Sequence, residues 1–325
     1  MKHIVKRLLV TVPVLMLATA GLAQTDAYPS KPIHVAFPYP PGSPLDAVGR
    51  LIIERAGKIL GQPMVFENRP GANGIIGTTY AARATPDGYV IHMTSTSAFS
   101  LNSFARKDLT YDPEKSFAPI IAVAEIPVAL VVTSRIPGNS TRDFVQYVKA
   151  NPGKVNYGSV GNASFNHLLM AQLNAAAGTD MLHVPYQGAA QVANELIAGR
   201  LDATVLSVSS VAGQWKAGQV KVLSIMSTRR SPTQPDVPAI AEEFPGFQPF
   251  TNWLGFLAPA GTPAPIIKKL NDAFNTVLQQ VDIRQKIEEQ QWSVIGGSAD
   301  QFSKTIATDM KIIANAVKSA GIKPE

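Results

Sequence analysis

Short continuous apolar runs alternate along this chain with longer stretches in which apolar residues recur every three or four positions. The first rhythm is that of a strand buried on both faces, the second that of a helix with one buried stripe. Strands are predicted at 33–37, 64–66, 89–93, 120–124, 128–132, 155–157, 181–185, 203–206, 220–226 and 253–257. Helices are predicted at 45–60, 75–83, 141–150, from 164 through 173, and at 190–198, 265–280, 283–291 and 299–320. Such alternation describes an α/β protein with a largely parallel sheet covered on both faces, whose ligands bind at the carboxyl ends of the strands.

The sharpest local signal is Phe37-Pro38-Tyr39-Pro40-Pro41-Gly42-Ser43-Pro44-Leu45-Asp46, a turn from the first strand into the first helix. Ser43 suits the N-cap, Pro44 the first helical position, and Asp46 the capping-box position three residues on. Leu45, Val48, Ile52, Ala56, Ile59 and Leu60 follow at helical spacing, and Gly61 is a stop signal. A helix N-terminus at the carboxyl end of a strand offers unpaired N–H groups to an anion, and Gly42 allows close approach to the backbone. The same residues also cap a helix in proteins that bind no anion.

The second half repeats the device. Strand 155–157 runs into Gly158-Ser159-Val160-Gly161-Asn162-Ala163-Ser164, and Ser164 or a neighbour caps a helix through His167, Leu168, Leu169 and Leu173. Hydroxyls at two other strand ends, Thr94-Ser95-Thr96-Ser97 and Ser207 with Ser209 and Ser210, are further candidate contacts. Gly71, Gly74 and Gly77 match neither nucleotide-loop pattern and read as structural turn glycines. Pro127 interrupts a nearly continuous strand region over 117–133. Crossings near 125 and 250 would then divide the chain into two lobes, each presenting one Ser/Gly helix start to a shared cleft. Two opposed, uncharged donor clusters suit a small carboxylate that bridges the lobes and closes them like a hinge.

Composition narrows the setting. Lys2, Lys6 and Arg7 precede the apolar run 8–20, and Gly21-Leu22-Ala23 offers small residues for cleavage, the pattern of a secretory signal over residues 1–23. That run is too short to span a membrane comfortably, and no later stretch is longer. Without the signal, the formal charge falls from +6 to +3, since 29 minus 3 leaves 26 basic groups against 23 acidic ones. Lys and Arg are scattered singly, which argues against nucleic acid as a partner. The absence of cysteine excludes a disulfide framework and a lipidated N-terminal Cys. A soluble, exported, periplasmic protein is expected.

Catalysis finds little footing. Tyr157-Gly158-Ser159-Val160-Gly161 lacks the first glycine of the nucleophile elbow, and His3, His34, His92, His167 and His183 form no zinc spacing. Neither metal nor other cofactor is expected. Trp253 and Trp292 read as packing residues. Tyr39 either stacks on an aromatic acid or walls the cleft. His167, just inside its helix, either donates to a carboxylate or orients the second loop from behind.

Tyr28-Pro29-Ser30-Lys31-Pro32-Ile33, the 37–46 turn, Gly61-Gln62-Pro63, Glu67-Asn68-Arg69-Pro70-Gly71-Ala72, Pro86-Asp87-Gly88-Tyr89, Tyr111-Asp112-Pro113, His183-Val184-Pro185-Tyr186 and Ala258-Pro259-Ala260-Gly261-Thr262-Pro263 together resemble the Bug family. These are the extracytoplasmic solute-binding receptors of tripartite tricarboxylate transporters. The resemblance spans the whole chain beyond the signal, with the motifs in order.

It implies a two-lobed periplasmic binding protein of type II-like fold, each lobe a mixed, mainly parallel sheet flanked by helices. Residues 24–125 and 250–325 would form lobe 1 and 126–249 lobe 2, with two crossing strands as the hinge. It implies a dicarboxylate, tricarboxylate, aromatic carboxylate or acidic amino acid as solute, held by loop amides and hydroxyls, and delivery by a monomer to membrane permease subunits. The implied contacts are Tyr39, Gly42, Ser43 and Asp46 in the first loop, Ser159, Gly161, Asn162, Ser164 and His167 in the second, and Thr96, Ser97 and Ser207 at strand ends. Leu206 and Gln187 stand where relatives often carry an acidic residue and a Lys, which argues against amino-acid solutes and leaves the cleft less charged. A role in reporting to a sensor kinase, or a periplasmic hydrolase, is the alternative.

Overall fold

The computed structural model describes residues 28–322; the expected signal sequence lies outside them. In chain order the elements are β1 (Ile33–Phe37), α1 (Pro44–Leu60), β2 (Met64–Asn68), α2 (Ile75–Ala82), β3 (Val90–Ser95), α3 (Asn102–Ala105), β4 (Phe117–Glu125) and β5 (Val128–Thr133). They continue with α4 (Thr141–Ala150), β6 (Asn156–Ser159), α5 (Phe165–Ala177), β7 (Leu182–Pro185), α6 (Ala189–Ile197), β8 (Ala203–Ser207), α7 (Val208–Lys216) and β9 (Val220–Ile225). The last are α8 (Ile240–Glu243), β10 (Trp253–Pro259), α9 (Ala264–Leu278), α10 (Val281–Glu289), β11 (Ser293–Val294) and α11 (Ala299–Ser319). A 3-10 turn, Ala72–Gly74, precedes α2, and a π-helical turn, Ser97–Leu101, precedes α3.

Two sheets result. The first has the order β2-β1-β3-β10-β4-β11 and the second the order β7-β6-β8-β5-β9. Their first five positions follow one plan. The first strand of each half pairs in parallel with the next two, β1 with β2 and β3, and β6 with β7 and β8. The fourth place is then taken by an antiparallel strand that has just crossed from the other sheet: β10 between β3 and β4, β5 between β8 and β9. The sheets are therefore mixed, and the antiparallel share is larger than the strand-helix alternation suggests, because crossing strands enter from the opposite direction.

The expected breaks explain most boundaries. Gly61, at φ 75°, ends α1 in a left-handed C-cap that a residue with Cβ adopts only under strain. Ser140 and Asp143 form a reciprocal capping box on α4, as Ser298 and Gln301 do on α11. Sequence reasoning missed α3, α7, α8 and β11. In α7 the buried residues Val208 and Val211 are set among Ser207, Ser209 and Ser210, whose hydroxyls mask the helical rhythm.

The crossings are tied to each other and to both lobes. Ile126 donates its N–H to the Asn252 carbonyl at 2.8 Å, and the Asn252 side chain donates back to the Ile126 carbonyl at 3.2 Å. Thr96, at the end of β3, donates its hydroxyl to the Thr251 carbonyl and accepts the Trp253 amide. From the other side, Gln172 of α5 donates to the Gln248 carbonyl. Helix α11 is shared: Phe302, Ile306 and Met310 pack with Trp253 and Phe99, while Ile313, Ala316 and Val317 enter the core built by Leu168, Leu169 and Phe250. It thus starts against the first sheet and ends against the second.

Asp309 lies between those two halves of α11, 3 % exposed, with Oδ1 accepting the Thr251 amide at 3.0 Å. Burial, with a smaller contribution from nearby Glu125, raises its carboxyl to about 7 despite the bond from Thr251. Its folded value lies above the unfolded one, so its contribution to stability is complete in acid and is lost as pH rises through 7. Asp309→Asn is expected to gain stability relative to the wild type as pH rises from 4 to 8, read from urea midpoints. A pH-independent difference would show that this carboxyl is not held neutral.

Candidate functional site

The loops at the carboxyl ends of β1, β2 and β3 lie side by side. Gly74 approaches so closely that a Cβ there would stand 3.2 Å from that of Pro38 and 2.6 Å from that of Ala98. Across from them, the loop after β6 shares a cavity of about 560 Å³ with the first half of the chain. Ala72, Asn73, Asn102 and Arg106 line it from one side, Asn162 and Ala163 from the other, and Ala320 to Ile322 close one end.

Backbone conformation singles out this cavity. Among the described residues four non-glycines have positive φ: Ala72 (46°), Asn73 (52°), Ala163 (56°) and Gln291 (61°), and the first three line it. A left-handed residue with a Cβ costs roughly 1–2 kcal/mol, so three converging on one cavity mark strain held in place at a site. Successive turn residues of this kind direct N–H groups into an anion-binding concavity. Asn73 donates its side-chain amide to Asn102, which returns a bond to the Asn73 carbonyl and another to Ala98, locking the wall.

Charge is sparse. Arg106 supplies the one formal charge among the described lining residues, and its guanidinium grips Asp108 through two bonds of 2.9 Å. The expectation of a lining without cations is corrected to this extent.

In the first loop, hydrogen bonds within the chain occupy the groups that sequence assigns to solute. Ser43 accepts the Asp46 amide at 3.2 Å, and Asp46 Oδ2 accepts the Gly42 amide at 3.2 Å and Arg50 Nε at 3.1 Å. Asp46 Oδ1 accepts the Asn68 side chain at 2.8 Å. Burial pushes the Asp46 carboxyl up, but the bonds from Arg50, Asn68 and the Gly42 amide outweigh it and hold it below its ordinary value. The Tyr39 hydroxyl sits 2.5 Å from Ser95 Oγ, and its ring packs edge-on against Phe37. Thr96 is fully buried in the crossing, while Ser97 is half-buried at the start of the π-helical turn. None of these lines the cavity; the turn over 71–75 that borders them does.

The second loop is closer to expectation. Ser164 caps α5, accepting the His167 amide, and like Ser159, Gly161 and His167 it lies outside the cavity lining. Ser159, buried, accepts the Gly161 amide at 3.1 Å and lies 2.6 Å from His183 Nε2. His167 Nδ1 accepts the Ala163 amide at 3.1 Å. Asn162 is exposed into the cavity between these anchors. Ser207, at the start of α7, bonds with Ser209 and Ser210 and lies outside the cavity lining.

Residues 48–322 match the family model of the tripartite tricarboxylate transporter family receptor. The chain belongs to this family. This receptor is 30 % identical to protein BugT of Bordetella pertussis over 95 % of its own length and 96 % of that relative. It superposes on an R. palustris protein solved with adipate at a TM-score of 0.75 and 28 % identity, covering 92 % of this chain and all of that one. For MatC of Rhodopseudomonas palustris with bound malate the values are 0.70 and 29 %, over 89 % and 100 %. No group of His, Cys, Asp and Glu among the described residues could hold a metal ion, and no described helix is long and apolar enough to cross a membrane.

Sequence reasoning missed Ala72, Asn73, Asn102, Arg106 and His183. The signal for the first two was present in Pro70-Gly71-Ala72-Asn73-Gly74, where a turn needs left-handed residues and only Gly71 and Gly74 are glycines. Nothing local marks Asn102 or Arg106, whose segment follows no clear period. In this receptor Asp46 fastens the first loop, so Asp46→Ala is expected to lower stability by about 1.5–3 kcal/mol, the range for hydrogen bonds to a charged group. Unchanged denaturation with lost solute binding would return Asp46 to the site.

Proposed function

We propose that this receptor captures a small carboxylated solute, a dicarboxylate, tricarboxylate or aromatic carboxylate, between its two lobes and delivers it to the membrane permease of a tripartite tricarboxylate transporter. The observation that carries this reading is the convergence of Ala72, Asn73 and Ala163, all left-handed, on one cavity lined from both halves of the chain. Adipate and malate in two structural neighbours support the chemical class. The lobes in this reading follow 24–125 with 250–325, and 126–249, except that α11 serves both. The protein acts as a periplasmic monomer after removal of residues 1–23, and it binds without catalysing a reaction.

On this reading the solute carboxylate takes its hydrogen bonds from loop amides and from Ser164 and Asn162, with Arg106 nearby but shared with Asp108. Apart from Arg106 the lining is neutral, which limits the desolvation that buried ion pairs incur. A ligand selective for the native state raises the melting temperature. A panel including adipate, malate, citrate and benzoate is expected to contain at least one acid that does so; no shift with any carboxylate would remove the reading. Ser164→Ala is expected to weaken that acid by about 1–3 kcal/mol in calorimetry, the range for losing a hydrogen bond to a charged group. Unchanged affinity would take Ser164 out of the site.

A further inference from the structure

Two histidines that lie far apart in sequence meet behind the second loop. The rings of His167, from α5, and His183, from β7, stack with centroids 3.7 Å apart and planes 8° from parallel. Tyr157, from β6, flanks the pair, 5.1 Å from His183 and 6.2 Å from His167. Each histidine holds a different part of the loop: His167 takes the Ala163 amide on Nδ1, and His183 meets Ser159 Oγ through Nε2.

We propose that the stacked pair His167 and His183 is the positioning device of the loop over 159–164, holding Ala163 in its left-handed conformation while His167 is neutral and releasing it when His167 takes up a proton.

The proton positions make the two rings unequal. An imidazole that accepts an amide on Nδ1 carries its single proton on Nε2. A second proton can enter only at Nδ1, where it would face the Ala163 N–H and end that bond. His183 has more freedom, because the Ser159 hydroxyl has two arrangements. It donates to a bare Nε2, or it turns toward the Gly161 carbonyl, 2.9 Å away, and accepts from a protonated ring.

Two positive rings in face-to-face contact repel, so the pair takes one proton readily and a second only in stronger acid. Burial, and then the charge on His183, lower His167 to about 4, while burial alone lowers His183. Tyr157 is the other titratable group on the stack, and burial pushes its hydroxyl up to about 12, so it stays neutral. Among the described residues no carboxylate or ammonium group acts on either ring. Both folded values lie below that of a free histidine, so the stability gained from the neutral pair is complete above pH 6.5 and is lost as pH falls toward 4.

The consequence for solute rests on the carboxylate reading: with Ala163 released, Asn162 loses its fixed position at the cavity. The test uses the solute-free chain without residues 1–23, following amide and histidine ring signals by NMR from pH 8 to 4. In the wild type the Ala163 amide is expected to shift with the His167 ring, with a midpoint below 5. His167→Asn puts a side-chain oxygen where Nδ1 stood, and its Ala163 amide is expected to stay in place across the range. His183→Phe keeps a stacked ring without a charge and is expected to move the His167 midpoint upward.

An Ala163 amide that ignores the titration of His167, or a His167 midpoint near 6.5, overturns the proposal. Far-ultraviolet dichroism on each variant separates loop release from unfolding. A second arm measures adipate affinity at pH 7 and 3.5 in the wild type and His167→Asn. The wild type is expected to lose at least threefold more than the variant, since protonation of adipate itself affects both equally. Failure of adipate to bind either protein counts against the solute assignment and leaves the NMR result to decide the clamp.

Discussion

The reciprocal pair of hydrogen bonds between Ile126 and Asn252 makes one ribbon of the two chain crossings. Neither crossing can rotate without the other. Thr96 fixes that ribbon to the first sheet through Thr251 and Trp253, and Gln172 fixes it to the second lobe through Gln248. The antiparallel fourth strand in each sheet follows directly: a chain leaving one sheet at the ribbon must enter the other running back along it. The carboxyl ends of β1 to β3 and of β6 then face a common space. On the proposed reading, a few residues at element ends would absorb the rotation that closes the lobes over a ligand.

Local chemistry made most elements legible. Ser43 and Ser164 cap the helices expected to start at them, because an N-cap is decided within four residues, while Ser140 and Ser298 cap helices read from apolar spacing alone. The shared plan of the two sheets was hidden, since it lies in strand order rather than in residue similarity. Helix α11 was found but not its dual allegiance, because its periodicity records that one face is buried without saying against what. The serines before and within α7 concealed a helix that tertiary burial of Val208 and Val211 supports.

Of the contacts expected from sequence, Asn162 lines the cavity and the first-loop residues do not. A serine at a helix start reads the same whether its neighbours are free for solute or fastened to one another. Asp46 decides between these in the first loop, since one carboxylate accepts from Gly42, Arg50 and Asn68 and leaves that loop self-contained. The adjacent turn takes over because Ala72 and Asn73 are held left-handed, and that depends on Asn102 nearly thirty residues away. His183 illustrates the same limit: its contact with His167 exists only once β7 lies beside β6.

Strain in these turns and neutrality in their supports work in the same direction. A left-handed Ala163 without an acceptor for its amide would relax to an ordinary conformation, so the loop needs a buried acceptor. A carboxylate in that place would repel an anionic solute across a few ångströms of low-dielectric protein. A charged histidine could not accept the bond at all. A neutral imidazole satisfies both conditions, and burial, with a smaller contribution from the second ring, keeps it neutral by making its protonation costly. The same reasoning applies across the cavity, where the amides of Asn73 and Asn102 brace the turn without adding charge. On the proposed reading, loops set by neutral groups leave the attraction for an anion to backbone dipoles, which act at short range. Both lobes must then be in place before the solute is fully gripped, and opening the hinge lets it go.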